Sequence, residues 1–342
     1  MDIRDIIARL SASAGPSGSE TGAVSAAAEL LAPCVDEIHT DTMGSLIAVK
    51  RCGKPGAPKV MLDAHLDEIG FVVTGFEEGF ARFACIGGID PRMLPACEVR
   101  VLTDPPIRGV IAIMPVHVLS EADREKPVRA DQMYIDLGLT QEEAEALVPV
   151  GTPVVYSREP HALGSLLCGK ALDDRSCFGC LIRTAELLKD AELNVDVYIV
   201  GTVQEEVGLR GAGPAAYAIR PDYAIAVDVC DAETPGSKGW QSRKLGGGPV
   251  IEIGPNMNRR FSDRIRRAAE QAGITCQTGV CPGGSSGTDT SVIQTSREGV
   301  CTALISLPLR YMHTPSEVID PGDAEALARL LAAVLTGMEA EA

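Results

Sequence analysis

The chain has 342 residues, 45% of them hydrophobic and only 4% aromatic, with a formal net charge of −16 at pH 7 and a sequence pI near 4.8. That length suffices for one large core or two moderate ones, and the acidic surface field argues against nucleic-acid and anionic-membrane partners. No apolar run approaches a bilayer span, Asp2, Arg4 and Asp5 interrupt the N-terminus, and the 11 scattered cysteines suit a reducing compartment, so a cytoplasmic protein without leader or anchor is expected.

Ile3, Ile6, Ile7 and Leu10 share a helical face, and a second helix is predicted from about Glu20 to Leu31, after the breaker Gly15-Pro16-Ser17-Gly18. A hairpin over Glu37 to Lys50 and a strand over Lys59 to Ala64 follow. From Ile69 the texture changes to short apolar runs broken by Gly and Pro, the pattern of a small all-β unit, interrupted by one helix over Thr140 to Leu147. After Gly164 helix and strand alternate: Arg175 to Leu188, Val195 to Val203, Gly211 to Ala218, Tyr223 to Val229. Phe261 to Ala272 reads as an amphipathic helix, Val300 to Leu307 as a strand, and Ala324 to Met338 as a closing helix with its N-cap within Asp320 to Asp323. The expected fold class is α/β, a layered sheet with helices on both faces, carrying an inserted β-rich domain. The boundaries are 1–68 and 161–342 for the discontinuous catalytic domain and 69–160 for the insert.

Cys177-x-x-Cys180 has a redox or zinc spacing, but no second pair or nearby His completes it, and its surroundings are helical; two buried helix residues are expected. The chemistry gathers elsewhere. His65 and Asp67 end one apolar strand, Glu205 and Glu206 follow another, Asp228 ends a third and His313 follows a fourth, while Asp173-Asp174 opens a helix. Ligands in open α/β sheets collect at the carboxyl ends of strands, so these segments can converge. Each is weak alone: His-x-Asp is more often a hydrogen-bonded surface pair than a ligand set, Glu-Glu is usually a solvated turn, and Asp173-Asp174-Arg175 is by default a helix N-terminus with a local ion pair. A set of nitrogen and oxygen ligands without cysteine favours hydrolytic Zn, Co or Mn. Asp173 would bridge two ions, each held further by one histidine and one acid.

The segments Asp63-Ala64-His65-Leu66-Asp67-Glu68, Gly169-Lys170-Ala171-Leu172-Asp173-Asp174-Arg175, Val203-Gln204-Glu205-Glu206-Val207-Gly208 and Arg310-Tyr311-Met312-His313-Thr314-Pro315 resemble the TET-type dinuclear aminopeptidases. This is metallopeptidase family forty-two, which includes glutamyl and deblocking enzymes and members once labelled endoglucanases. Gly87-Gly88-Ile89-Asp90-Pro91-Arg92 and Tyr134-Ile135-Asp136-Leu137-Gly138 extend the resemblance into the insert.

The resemblance implies a zinc-peptidase-like three-layer sheet, a PDZ-like or barrel insert used for dimerisation, and a tetrahedral dodecamer built from dimers. It implies two divalent ions per subunit, with His65, Asp173 and Asp228 around one and Asp173, Glu206 and His313 around the other. Glu205 takes the general-base position, Asp67 orients His65, and the Asp173-Asp174 peptide is expected to be cis. The implied reaction is removal of N-terminal residues from peptides by a metal-activated water. A metallo-carboxypeptidase or deacylase, using Arg310 or Arg92 to grip a carboxylate, and a metal-free glycoside hydrolase are the alternatives; one Trp is few for sugar stacking. Thr290 and Gly247 depart from the commoner pattern and leave the preferred first residue open.

Overall fold

The computed structural model describes residues 1–237, 239–282 and 287–338. The first segment contains helices α1 (Ile3–Ala12) and α2 (Thr21–Leu31) and strands β1 (Glu37–Thr40), β2 (Leu46–Lys50) and β3 (Lys59–His65). Next come β4 (Gly70–Glu77), β5 (Phe80–Ile86), β6 (Glu98–Val101), β7 (Ile107–Ala112), α3 (Glu121–Arg124), β8 (Tyr134–Asp136), α4 (Gln141–Leu147) and β9 (Pro153–Tyr156). The chain returns through β10 (His161–Leu163), β11 (Leu166–Gly169), α5 (Leu172–Leu187), β12 (Asp196–Thr202), α6 (Ala212–Ile219) and β13 (Tyr223–Asp231). It finishes with β14 (Val250–Ile253), α7 (Arg259–Ala272), β15 (Gln277–Val280), α8 (Thr290–Ile293), β16 (Cys301–Arg310), β17 (Glu317–Ile319) and α9 (Pro321–Thr336).

An 11-stranded mixed sheet runs β1-β2-β12-β3-β13-β16-β17-β11-β10, with β14 and β15 attached beside β16. Its centre, β12, β3, β13 and β16, is parallel. Parallel strands need cover on both faces, and alternate residues here serve opposite layers. Val60, Leu62 and Ala64 of β3 and Ile225, Val227 and Val229 of β13 pack into the core shared with α1, α5, α7 and α9. Met61, Ala224 and Ala226 face the opposite core, built on Ala212, Ala215 and Ala216 of α6 and Ile293 of α8. The three-layer expectation holds.

Strands β4 to β9 close a separate antiparallel barrel in the order β4-β5-β8-β7-β6-β9. Its interior is filled by Phe71, with Phe83 and Tyr156 set edge-on against it, both at 5.2 Å between ring centres. The short helix α4 has a complete capping box between Thr140 and Glu143. The long sequence helices begin where their caps dictate: Asp2 before α1, Asn258 before α7, and Asp320 with Pro321 at the start of α9. Cys177 and Cys180 lie buried on α5, and all 11 cysteines are unpaired. No described helix is long and apolar enough to cross a membrane.

A buried charge cluster fastens the N-terminal segment to the end of β3. Glu68, only 1% exposed, accepts from Lys170 at 2.8 Å, from Arg175 at 3.0 Å and from the Gly15 amide at 3.0 Å. Arg175 also donates to the carbonyls of Leu10, Ser13 and Leu66, and Lys170 to that of Ser13. Removing the carboxylate would strand two desolvated cations. Glu68→Gln is expected to lower the unfolding free energy by about 3–5 kcal/mol in denaturant titration; a change below about 1 kcal/mol would show that the cluster is dispensable.

Candidate metal centre

The ends of the parallel strands and the start of α5 converge on one cavity of about 490 Å³ lined by His65, Asp173, Glu205, Glu206, Asp228 and His313, among others. His65 is the last residue of β3 and Asp228 lies in β13, while Glu205 and Glu206 follow β12 and His313 follows β16. Every expected site residue except Asp67 lines this cavity, and Asp67 is completely buried just behind it.

Asp173 stands between the two imidazoles. Its Oδ1 is 3.2 Å from His65 Nε2 and its Oδ2 is 3.3 Å from His313 Nε2, which is also 3.4 Å from Glu206 Oε2. The other ring nitrogens face carbonyl oxygens: His313 Nδ1 is 2.7 Å from Gly88 O, and His65 Nδ1 is 3.1 Å from Asp67 O. A nitrogen beside a carbonyl must carry the hydrogen, so in neutral rings both Nε2 lone pairs confront carboxylate oxygens. Such an arrangement is stable only with a cation or a proton between them.

The donor atoms form two close groups. His65, Asp173 and Glu206 offer atoms within 4.8 Å of one another, and so do His65, Asp174 and Asp228. Asp174 is a residue that sequence reasoning left without a role; its carboxyl is fully buried, and burial together with the charge of Asp228 holds it well above the carboxylate range. The Asp173-Asp174 peptide is cis, as the family resemblance implied.

Electrostatics restate the geometry. Burial, reinforced by neighbouring Asp228, Asp289 and Glu206 and opposed by His65, pushes Glu205 up to about 9. Burial and the charge of Asp173 push Glu206 up to about 7, and the same two causes hold Asp228 well above the carboxylate range. Asp173 is lowered because its bonds to His313 and His65 outweigh its burial. His313 is raised to about 10 mainly by Asp173, and His65 is raised because Asp173 and Asp67 overcome its desolvation. No lysine or arginine lines the cavity among the described residues. The site is therefore a desolvated excess of carboxylates, with nitrogen and oxygen donors that fit hard or borderline divalent cations.

Asp67 organises one wall. Its carboxylate accepts from the Ser17 hydroxyl at 2.6 Å and from the successive amides of Glu205 at 3.0 Å and Glu206 at 3.2 Å. Glu317, another residue without a sequence signal, accepts from the amides of Asp173 at 3.0 Å and His313 at 2.9 Å. Ser17 stands in the breaker read before α2, whereas a lone Glu at the start of a short strand offered nothing to read.

Non-glycine residues with left-handed backbone cluster here: Ala171 (φ 52°), Gln204 (φ 58°), Leu209 (φ 57°), Tyr311 (φ 64°) and His313 (φ 59°). Strain of this kind persists where the surrounding fold fixes a site's geometry.

Comparison with known proteins identifies the family. The profile of the M42 glutamyl aminopeptidase family matches residues 44–330. The lysyl aminopeptidase of Pyrococcus furiosus is 37% identical over 341 residues, covering 97% of this chain and 96% of its own length. The crystal structure of a TET aminopeptidase from a marine sediment Thaumarchaeota archaeon superposes with a TM-score of 0.93 at 32% identity, covering 98% of this chain and 96% of that one. The Pyrococcus horikoshii TET1 peptidase, which assembles into a tetrahedron or a large octahedral shell, gives a TM-score of 0.86 at 32% identity over 98% of this chain and 100% of that one. The chain belongs to the M42 glutamyl aminopeptidase family, and its activity is that of an aminopeptidase.

Proposed function

We propose that the chain is a two-metal aminopeptidase, with His65, Asp173 and Asp228 holding one divalent cation and Asp173, Glu206 and His313 the other. The observation that carries this reading is the two-sided Asp173, one oxygen toward each imidazole, in a cavity that no lysine or arginine of the described residues lines. Asp174 adds a fully buried carboxyl to the His65 and Asp228 group. When bound, the cations, Zn or Co with Mn as the third choice, supply Lewis acidity toward water and the scissile carbonyl.

The chain's own residues do the rest. Glu205, with Oε2 3.9 Å from His65 Nε2, reaches the cavity while its amide is tied to Asp67, so its carboxylate is oriented and free to take a proton from the attacking water. It returns that proton to the leaving amine. Asp67 holds His65 from the Nδ1 side, at 3.5 Å, and keeps Nε2 aimed at the centre. The acidic cavity suits a peptide's free α-ammonium.

We read residues 69–160 as an inserted domain through which copies pair, and a cytoplasmic homo-oligomer, a dodecamer assembled from dimers, as the working state. Supporting this, Met114, Val116 and Val118 between β7 and β8 are exposed apolar residues of the kind a partner covers.

The adjacent acids separate the roles. Glu205→Gln is expected to retain both cations while kcat falls by roughly two to four orders of magnitude, the range of a lost general base. Glu206→Gln is expected to lose cation occupancy. Metal analysis beside steady-state kinetics decides; the reverse pattern would exchange the two assignments. Chelation should abolish turnover and Zn or Co should restore it, so full activity in the stripped enzyme would end the two-metal reading.

Stability of the stripped protein should fall as pH rises. Glu206 and Glu205 have folded values of about 7 and about 9 against an ordinary 4.5, and His313 about 10 against 6.5. All three hold protons more tightly when folded, so their stabilisation is complete below the unfolded values and is lost as pH climbs through the folded ones. Between pH 6 and 9 the Tm of the stripped protein is expected to decline, and added Zn or Co should raise it most at the alkaline end, because cation binding displaces those protons. A flat or rising profile for the stripped protein would contradict the charge assignment.

A further inference from the structure

The metal cavity opens into a second cavity of about 390 Å³, the two sharing Val229, Thr288 and Met312 in their walls. On β14, Ile251 packs into the core beneath α7, so Glu252 faces the other way, into this second cavity. The Glu252 carboxyl lies directly over Gly279 of β15, where even a Cβ would fall 1.9 Å from Oε2, so any larger residue at 279 would displace it. Glu252 is 4% exposed and among the described residues has one hydrogen bond, from the Cys281 thiol at 3.6 Å. No basic nitrogen of a described residue lies within the 4.0 Å of an ion pair.

A buried carboxylate with so little compensation is costly unless something else brings the charge. Burial raises its proton affinity, against the more distant pull of Arg243. Arg243 also lines the cavity; its Nη1 donates to the carbonyls of Trp240 and Ser242, each at 3.0 Å, while its buried Nε has no partner among the described residues. Asp231 adds a second acid to the wall. The rest of the lining includes Val229, Leu304 and Met312, which suits a chain of methylenes.

We propose, resting on the aminopeptidase reading above, that this cavity receives the side chain of the substrate's first residue and that Glu252 selects a basic one, lysyl or arginyl. The stem runs along the apolar wall from the metal cavity and its cationic end meets the Glu252 carboxylate. A leucyl side chain leaves that carboxylate desolvated and unpaired, and a glutamyl side chain sets a second negative charge against it.

The test uses the cation-loaded enzyme and a panel of lysyl, arginyl, leucyl and glutamyl p-nitroanilides, reading kcat/KM. The wild-type enzyme is expected to favour lysyl and arginyl over leucyl and glutamyl by at least roughly tenfold. Glu252→Gln keeps the shape without the charge and is expected to cut the lysyl-to-leucyl ratio by about tenfold or more. Should that variant not fold, Glu252→Met reads the same ratio with an apolar group of similar length. A wild-type preference for leucyl or glutamyl substrates, or a ratio unchanged in the folded variant, overturns the assignment of the cavity while leaving the aminopeptidase reading intact. Failure to cleave any member of the panel removes the aminopeptidase reading itself.

Discussion

Asp173, the adjacent Glu205 and Glu206, and Asp228 come from three segments to one cavity that no lysine or arginine of the described residues lines, with Asp174 buried nearby. Desolvation of these carboxylates by burial is the largest unfavourable contribution there, their mutual repulsion adds to it, and the remaining features offset both. Two imidazoles, each turned by a carbonyl on its Nδ1 side, supply what positive charge the chain can offer. A divalent cation supplies more per unit volume than any side chain and needs no rotamer ordering, which is why such clusters and metals go together. The left-handed backbone at Gln204, Tyr311 and His313 belongs to the same accounting: the rigid ends of β12 and β16 hold conformations that an isolated peptide would abandon.

The end of β3 shows how neighbouring residues divide between chemistry and structure. Asp67 and Glu68 are adjacent, both fully buried, and both have lowered proton affinity despite burial that acts to raise it. For Asp67 the compensation comes from His65, the Ser17 hydroxyl and the Glu205 amide, all facing the catalytic side. For Glu68 it comes from Lys170, Arg175 and the Gly15 amide, on the side of the α1 to α2 connection. The loop holding Ser17 thus grips both residues, through Ser17 on Asp67 and Gly15 on Glu68. The barrel is tied in too, since the Gly88 carbonyl fixes His313.

The central layers were readable because the apolar runs of β3 and β13 and the cap at Asp320 are local signals. The convergence of His65, Asp173, Glu205, Glu206, Asp228 and His313 was readable because strand ends in parallel sheets point one way. What remained hidden depends on long-range pairing. The barrel's short strands could be anticipated, but its closure rests on Phe71 meeting Val154 across most of the insert. Strands β14 and β15 lack any periodic signature, and Glu252 in Val-Ile-Glu-Ile carries no local sign of facing a cavity. Asp174 reads locally as part of a helix start, Glu317 has no local signal, and nothing in the sequence marks the Gly88 carbonyl as a partner of His313. Nothing in a linear spacing reveals which carboxylate oxygen meets which imidazole.

Glu205 and Glu206 illustrate what the fold adds to a dipeptide of identical side chains. Their amides converge on the single carboxylate of Asp67, and because successive side chains leave an extended turn in different directions, shared amide anchoring separates the two carboxyls. Glu206 goes toward His313 at 3.4 Å and Asp173, while Glu205 goes toward His65 at 3.9 Å and Asp228. The more strongly raised of the pair is Glu205, at about 9 against about 7. A group used as a proton carrier at neutral pH works best with an affinity near the working pH, and on the proposed reading the nearby cations bring Glu205 down from about 9 toward that range. The burial that makes Glu205 a poor base in the stripped protein is thus what leaves it poised once the cavity's charge is balanced. A solvent-exposed glutamate at the same distance would start near 4.5, and the same cations would drive it too low to hold a proton for the leaving amine.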